Sequence, residues 1–193
     1  NDETMHMLEL AYENVNQAFG QLLQFSDKTD EQIYKREDTV NYLDKVISEY
    51  ISTALATPNL NVNISQALSS YYLMLVDIER ISDYAVNMNH QATKRLQGDM
   101  TISEIEIIEH MKKLCEDMKN DLDDVEEAER KDDVIDSLVS SWREAQIQAL
   151  KQKKCSSEVS MMLSRIFTDF ERINDHALNV SQELDKITVE IPD

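Results

Sequence analysis

The chain of 193 residues carries 38 acidic against 19 basic residues, a formal net charge of −19, and only two Gly and two Pro. Strands joined by tight hairpins need turn residues at short intervals, so this composition excludes a mainly β protein and predicts an all-α fold. The charge excludes a surface built for nucleic-acid phosphates or an anionic membrane, and it favours bound cations or a basic protein partner.

In chain order, the first helix is predicted from Asp2 to Phe25 and the second from Thr29 to Ala56. The stretch TPNLNVN (57–63) interrupts the pattern, with Pro58 as the stop and Asn63 or Ser65 as the next cap. A third helix follows from Ser65 to Leu96, and Gly98 with Asp99 ends the first half. Thr101 caps a fourth helix running to Asn120; a fifth reaches Gln152 and a sixth spans Ser156 to Lys186. Cys115 falls in an apolar helical context and Cys155 in the polar stretch KQKKCSSE, outside any CxxC spacing, so a reducing compartment is expected. The longest apolar run, YYLMLV at 71–76, is too short to span a bilayer. Beginning at Asn1 rather than Met, the sequence reads as part of something longer, whose remainder would be free to carry a membrane domain.

The stretches DIERISDYAVN (77–87) and DFERINDHALN (169–179) agree at seven of eleven positions, 92 residues apart. The same shift carries Phe19 to Met111, Leu22 to Leu114, Ile33 to Val125, Glu37 to Glu129, Leu43 to Ile135 and Asp44 to Asp136. Val40 to Asp132 is the pair that does not match in character. One shift spanning all three helices predicts a duplicated helix-helix-helix unit, 1–98 and 99–193, forming two elongated three-helix bundles side by side. In the third helix, Ala67, Tyr71, Met74, Ile78, Ile81, Ala85, Met88 and Ala92 follow a four-three spacing and form a core seam. Its mate is Val159, Leu163, Ile166, Phe170, Ile173, Ala177, Val180 and Leu184.

Glu79 and Asp83 lie one above the other on a helix face, as do Glu171 and Asp175. Leu75, Tyr72 and Val86 share the first pair's side, Phe167 and Leu178 the second's. Carboxylates inside an apolar stripe need a partner, because unpaired buried charge is costly. The second helix offers Glu37, Asn41 and Asp44 on one face, and the fifth offers Glu129, Asp133 and Asp136. Antiparallel hairpins place Asn41 level with Glu79 and Glu37 level with Asp83; in the second unit Asp133 is level with Glu171, and Glu129 with Asp175. Arg80 and Arg172 lie about 100° round the helix from their Glu neighbours and are expected to point elsewhere. An oxygen-rich metal site in each unit follows, with hard ligands suited to Mg²⁺, Ca²⁺, Mn²⁺ or iron rather than a Cys/His zinc site.

ERISD and ERIND, each preceded by an acid and followed by A-x-N, resemble the twin acidic motifs of the PhoU family of phosphate-uptake regulators, and the resemblance covers essentially the whole chain. It implies multinuclear metal clusters, often iron or zinc, held by Glu79 and Asp83 with Glu37, Asn41 and Asp44, and by Glu171 and Asp175 with Glu129, Asp133 and Asp136. The family often has Gly before the motif Asp, where this chain has Ser82 and Asn174. Asn41 is neutral where its mate is Asp133, so the two sites are expected to differ in affinity or nuclearity. The resemblance implies a cytoplasmic, non-enzymatic regulator. Its partners would be a phosphate transporter and a sensor kinase, or its own membrane domain if the chain is the cytosolic tail of a sodium/phosphate cotransporter protein in the inner membrane, the context the sequence favours slightly. A homodimer stays open.

Two other functions compete. A structural adaptor would use the acidic faces to hold a basic partner without metal. A carboxylate di-iron oxidase would need Glu-x-x-His on two helices; the sole such match is Glu3 to His6. His176, His90 and His110 read as ordinary polar residues, His176 at an interface.

Overall fold

The computed structural model describes residues 2–94 and 100–190, without the side chains of 188–190. Six helices follow in order: α1 (Asp2–Leu23), α2 (Asp27–Leu55), α3 (Val62–Thr93), α4 (Ile102–Asn120), α5 (Val125–Lys151) and α6 (Ser157–Glu190). The all-α expectation and the six-helix parsing hold. The expected end of the third helix at Leu96 and the junction at Gly98 and Asp99 lie outside the described residues.

Local chemistry sets the helix ends. Thr101 and Glu104 form a reciprocal capping box: Thr101 Oγ1 accepts from the Glu104 N–H at 3.3 Å and Glu104 Oε2 from the Thr101 N–H at 2.8 Å. Asp124 caps α5 by accepting from the Glu127 N–H at 3.1 Å. The cap of α3 is Asn61 rather than Asn63 or Ser65. After Pro58, Asn59 turns the chain at φ 59, so the helix resumes a turn earlier than expected. At the other end, α1 stops at Leu23 rather than Phe25. The Gln21 amide donates to Ser26 O at 3.0 Å and accepts from the Ser26 N–H at 2.8 Å, which stabilises the turn into α2.

The most extensive contact is between α3 and α6, one from each half. They run antiparallel: His176 Nδ1 and Asp77 Oδ1 lie 2.7 Å apart, and Arg165 reaches Gln91 at 3.5 Å. Helices α1 and α2 pack on α3, while α5 packs on α6. Helix α4 lies more on α1, in the other half, than on α5 or α6. The interior is therefore one continuous hydrophobic cluster rather than two. Phe19 of α1 meets Phe170 of α6 edge-on at 6.4 Å across the two halves. Both rings are fully buried, each contributing about 1.5–3 kcal/mol of apolar burial. The expected seams are the core, with Tyr71 and Leu184 only partly buried at their ends.

The repeat is not gap-free. Between α3 and α6 the shift of 92 holds, since Met74, Leu75, Ile78, Ile81, Ser82, Ala85, Met88 and Asn89 all land on buried mates. Between α2 and α5 it fails. The buried residues of α2 are Ile33, Val40 and Ile51, and their mates at 92 are only partly buried. Three further residues along they become Ala128, Ile135 and Gln146, all buried. The chain between these matched positions is three residues shorter at the α5–α6 turn, which slides α5 by most of a helical turn relative to α2.

Candidate functional site

In the first half, α3 sets Glu79 and Asp83 half-buried at the edge where α2 packs. The fully buried Ser82 donates its hydroxyl to Glu37 Oε2 across the helix pair, and the Asn14 amide approaches Ser82 Oγ at 3.4 Å. Glu37 is thereby drawn beside Asp83, as the expected level pairing requires. Asn41 donates to Glu37 Oε1 at 3.2 Å but is itself exposed, and Asp44 accepts from Ser48 at 3.5 Å. The carboxyls of Glu37, Glu79 and Asp44 all sit above their ordinary pKa. Burial is the main cause in each, with repulsion from Asp83 added for Glu37 and from Asp83, Asp44 and Glu37 for Glu79. These five residues therefore form one acidic group between α2 and α3.

The arginines do not point away, contrary to expectation. Arg80 reaches Asp83 at 3.3 Å and Glu79 at 3.7 Å, and Arg172 reaches Asp175 at 3.5 Å. Their long stems cross the angular gap that a Cβ direction alone implies, and i,i+3 spacing puts Asp83 and Asp175 within range.

The second half differs because of the slide. Glu129 is exposed and takes a 3.5 Å contact from Gln182. Asp133 and Asp136 are exposed as well. The acid that stands where Glu37 stands is Asp132, and Asp136 takes the place of Asn41. Asp132 is pushed up to about 6 by burial and then by Asp136, Asp175 and Asp133; its Oδ1 is buried with no hydrogen-bond partner. Asp136 is raised by burial and by Asp175, Glu171 and Asp133. Asp132 was missed from sequence, although it marked itself as the mismatched mate of Val40. Arg143 was missed too: it binds Glu171 at 2.6 Å and Thr168 at 3.2 Å.

Carboxylate oxygens dominate both groups, so the donors are hard and suit Mg²⁺, Mn²⁺ or iron. The raised pKa values and the orphaned Asp132 oxygen mark negative charge that the protein's own cations leave uncompensated. Among the described residues, however, no group of three or more His, Cys, Asp or Glu side chains is gathered closely enough to hold a metal ion. The charge and donors are in place; a closed coordination shell is not.

A family model described as the PhoU domain matches residues 4–92 and again 105–184. The chain belongs to the PhoU family. The phosphate-specific transport system accessory protein PhoU homolog 1 of Thermotoga maritima is 23% identical over 190 residues, covering 92% of this chain and 81% of the relative. The crystal structure of PhoU from Pseudomonas aeruginosa superposes with a TM-score of 0.84 at 19% identity, over 98% of this chain and 95% of that one. The phosphate transport system regulatory protein PhoU from Streptococcus pneumoniae gives 0.83 at 20% identity, over 100% and 95%. At the two positions where PhoU proteins often have Gly, the side chains face the interior. Ser82 holds Glu37, and Asn174 donates to Phe170 O at 2.8 Å and contacts Cys115 Sγ at 3.8 Å.

The remaining sequence readings find their places. Cys115 is buried and free, and Cys155 lies in the α5–α6 connection. His176 lies at the interface between the halves, stacked on Tyr84 at 5.8 Å. Glu3 and His6 are exposed on the first turns of α1. Among the described residues no helix is long and apolar enough to cross a membrane.

Proposed function

We propose that this chain is a non-enzymatic regulator of phosphate transport that binds metal ions at its two acidic groups and acts through contacts with a transporter in the cytoplasm. The observation that carries the reading is the PhoU match over both halves, each containing its own acidic motif on the third helix of the unit. Of the two contexts open to a PhoU chain, the accessory protein is favoured over the cotransporter tail. The relatives, matched over 81–95% of their lengths, are named as accessory or regulatory proteins of phosphate transport systems.

Glu37, Asn41, Asp44, Glu79 and Asp83 would hold ions in the first half. In the second, Asp132 joins Asp133, Asp136, Glu171 and Asp175, with Glu129 at the margin. Iron, zinc, manganese or magnesium would supply positive charge that relieves the repulsion among these acids, so binding would tighten the α2–α3 and α5–α6 pairs. The residues themselves would orient the ions; no step of bond-making chemistry is required of them.

The test is metal content by plasma mass spectrometry after reconstitution with iron, manganese and zinc, for wild type and Glu79→Ala/Glu171→Ala. Phosphate uptake is then compared in cells lacking the chain and complemented with each form. Retained metal and restored control in wild type alone support the reading. No retained metal in either form overturns the metal part and favours the acidic adaptor; uptake indifferent to the chain overturns the transport part.

A further inference from the structure

The two-fold relation between α3 and α6 gives each residue at their interface an internal counterpart, and one pair of counterpart surfaces has diverged in a single direction. On one side, Asp77 is satisfied from within: His176 Nδ1 lies at 2.7 Å and the Asn179 amide donates at 3.0 Å. Beside it stand Tyr72, Leu73 and Val76, all exposed. On the other side the Asp and the Asn are kept, as Asp169 and Asn87, while Tyr84 replaces the histidine and stacks on His176 instead. The apolar trio becomes Ser164, Arg165 and Thr168, and Gln182 becomes His90.

These substitutions open a cleft of about 360 Å³ between α3 and α6, lined by Asn87, His90, Ser164, Arg165, Thr168 and Asp169, with Gln91 at its edge. Such a volume takes a group the size of several waters, at about 30 Å³ each. The lining is rich in donors. Arg165 has no carboxylate within 4.0 Å among the described residues and touches only the Gln91 amide oxygen, at 3.5 Å. The side chains of Asn87, His90 and Asp169 make no hydrogen bond to another described residue. One guanidinium, one imidazole, two amides and the Ser164 hydroxyl thus surround a single carboxylate, while the Thr168 hydroxyl is already engaged, donating to Ser164 O at 3.2 Å and accepting from Arg143 at 3.2 Å. That set matches a tetrahedral oxyanion which still carries one proton. The donors take the charged oxygens, Arg165 in the fork geometry suited to phosphate, and the carboxylate accepts from the P–OH.

We propose that this cleft binds a monoprotonated phosphate group, either free phosphate or a phosphomonoester. Because Asn87, His90 and Gln91 come from α3 and the other lining groups from α6, the bound anion joins the two halves of the molecule. The net charge of −19 weakens binding through the long-range field, most at low salt, but leaves selectivity to the cleft. Asp169 turns away a fully ionised anion of the same shape, such as sulfate, because two negative oxygens would then meet without a proton between them.

The inference is independent of the metal reading, and its test is run in chelator so that the two fail separately. Calorimetric titrations of the full chain use inorganic phosphate, glycerol phosphate and sulfate at about pH 7 and again at about pH 6, because a monoester with its second pKa near 6 keeps a large share of its proton only at the lower pH. Phosphate or the monoester is expected to bind at least tenfold tighter than sulfate. Arg165→Leu, which copies the counterpart Leu73, should lose at least tenfold, and Asp169→Asn should bring phosphate and sulfate together. Binding of the monoester alone assigns the cleft to a phosphorylated molecule. No binding of either phosphate form, or binding unchanged in Arg165→Leu, overturns the proposal. The exposure of Arg165 makes misfolding an unsuitable excuse, and unchanged melting of both variants is the control.

Discussion

Replacing Asp132 by Asn should stabilise the metal-free protein at neutral pH. The rise of its pKa from the ordinary 3.8 to about 6 means that the folded state holds the Asp132 proton more tightly than the unfolded chain does. Below about pH 4 both states are protonated, and this preference contributes in full. As pH rises through 4 to 6 the unfolded state loses its proton first, so stability falls, and above 6 the ionised form is a standing cost. A shift from 3.8 to about 6 has a ceiling near 3 kcal/mol; because Asp132 is partly solvated, screening reduces this to about 1 kcal/mol. For a protein of this size that corresponds to a melting temperature about 2–4 °C higher in the variant at pH 7.5.

The assay is thermal unfolding followed by circular dichroism in chelator, at pH 7.5 and pH 4.5, for wild type and Asp132→Asn. The gap between the two proteins should be open at pH 7.5 and shrink to about a third at pH 4.5, which lies inside the window where the unfolded state is already losing the proton. Adding Mn²⁺ should reverse the order, since the ion then needs the charge that the variant lacks. A variant that melts at or below wild type in chelator at pH 7.5 would show that the Asp132 charge is held by favourable contacts, and the reasoning from its crowded acids would fall.

Gln146→Ala should cost about 2 kcal/mol in urea unfolding, because the Gln146 amide donates to the buried Glu104 at 2.6 Å and to Ser160 at 2.9 Å; Glu104 Oε1 would lose its partner, while Ser160 keeps its 3.3 Å contact with Cys155. A loss below about 1 kcal/mol would mean that water replaces the amide. Arg143→Ala should cost less than about 1 kcal/mol without metal, since its ion pair with Glu171 is part-exposed. The same variant should tighten Mn²⁺ binding in the second half, measured by titration; unchanged affinity would show that Arg143 does not compete with a cation there.

The sequence was a sound guide wherever periodicity and identity pointed the same way. The α3 and α6 seams, the duplicated acids and the Thr101 cap could all be read because each residue type has a single physical use at its position. The register of α5 was hidden by the same logic. A shift of 92 preserved Glu37 over Glu129 and Asp44 over Asp136, and two matched acids outweighed one mismatch at Val40 and Asp132. Burial reverses that weighting, because fixing Ile135 and Gln146 in the core costs far more to undo than moving a surface Glu. The arginine contacts were hidden for a different reason. Helical angles fix where a Cβ points, whereas a guanidinium at the end of a long stem ranges over most of a helix face.

The slide also explains why the two acidic groups are not copies. In the first half Asp44 faces α3, while the residue three further along in the shifted frame is Val139, buried in the core. The second half therefore has no acid there, and it carries a carboxylate at Asp136, where the first half has Asn41. The first half thus brings Glu37, Asp44, Glu79 and Asp83 to its helix pair, and the second brings Asp132, Asp136, Glu171 and Asp175 with Asp133 beside them. The cations are unequal too. Among the described residues Arg80 is the one cation in contact with the first four, whereas Arg143 and Arg172 both contact the second. Asp133 adds negative charge to the second group just as Arg143 adds positive charge, so the extra acid and the extra arginine offset each other. On the proposed metal reading, the two groups would differ chiefly at Arg143, which holds Glu171 at 2.6 Å and would have to be displaced by an incoming ion.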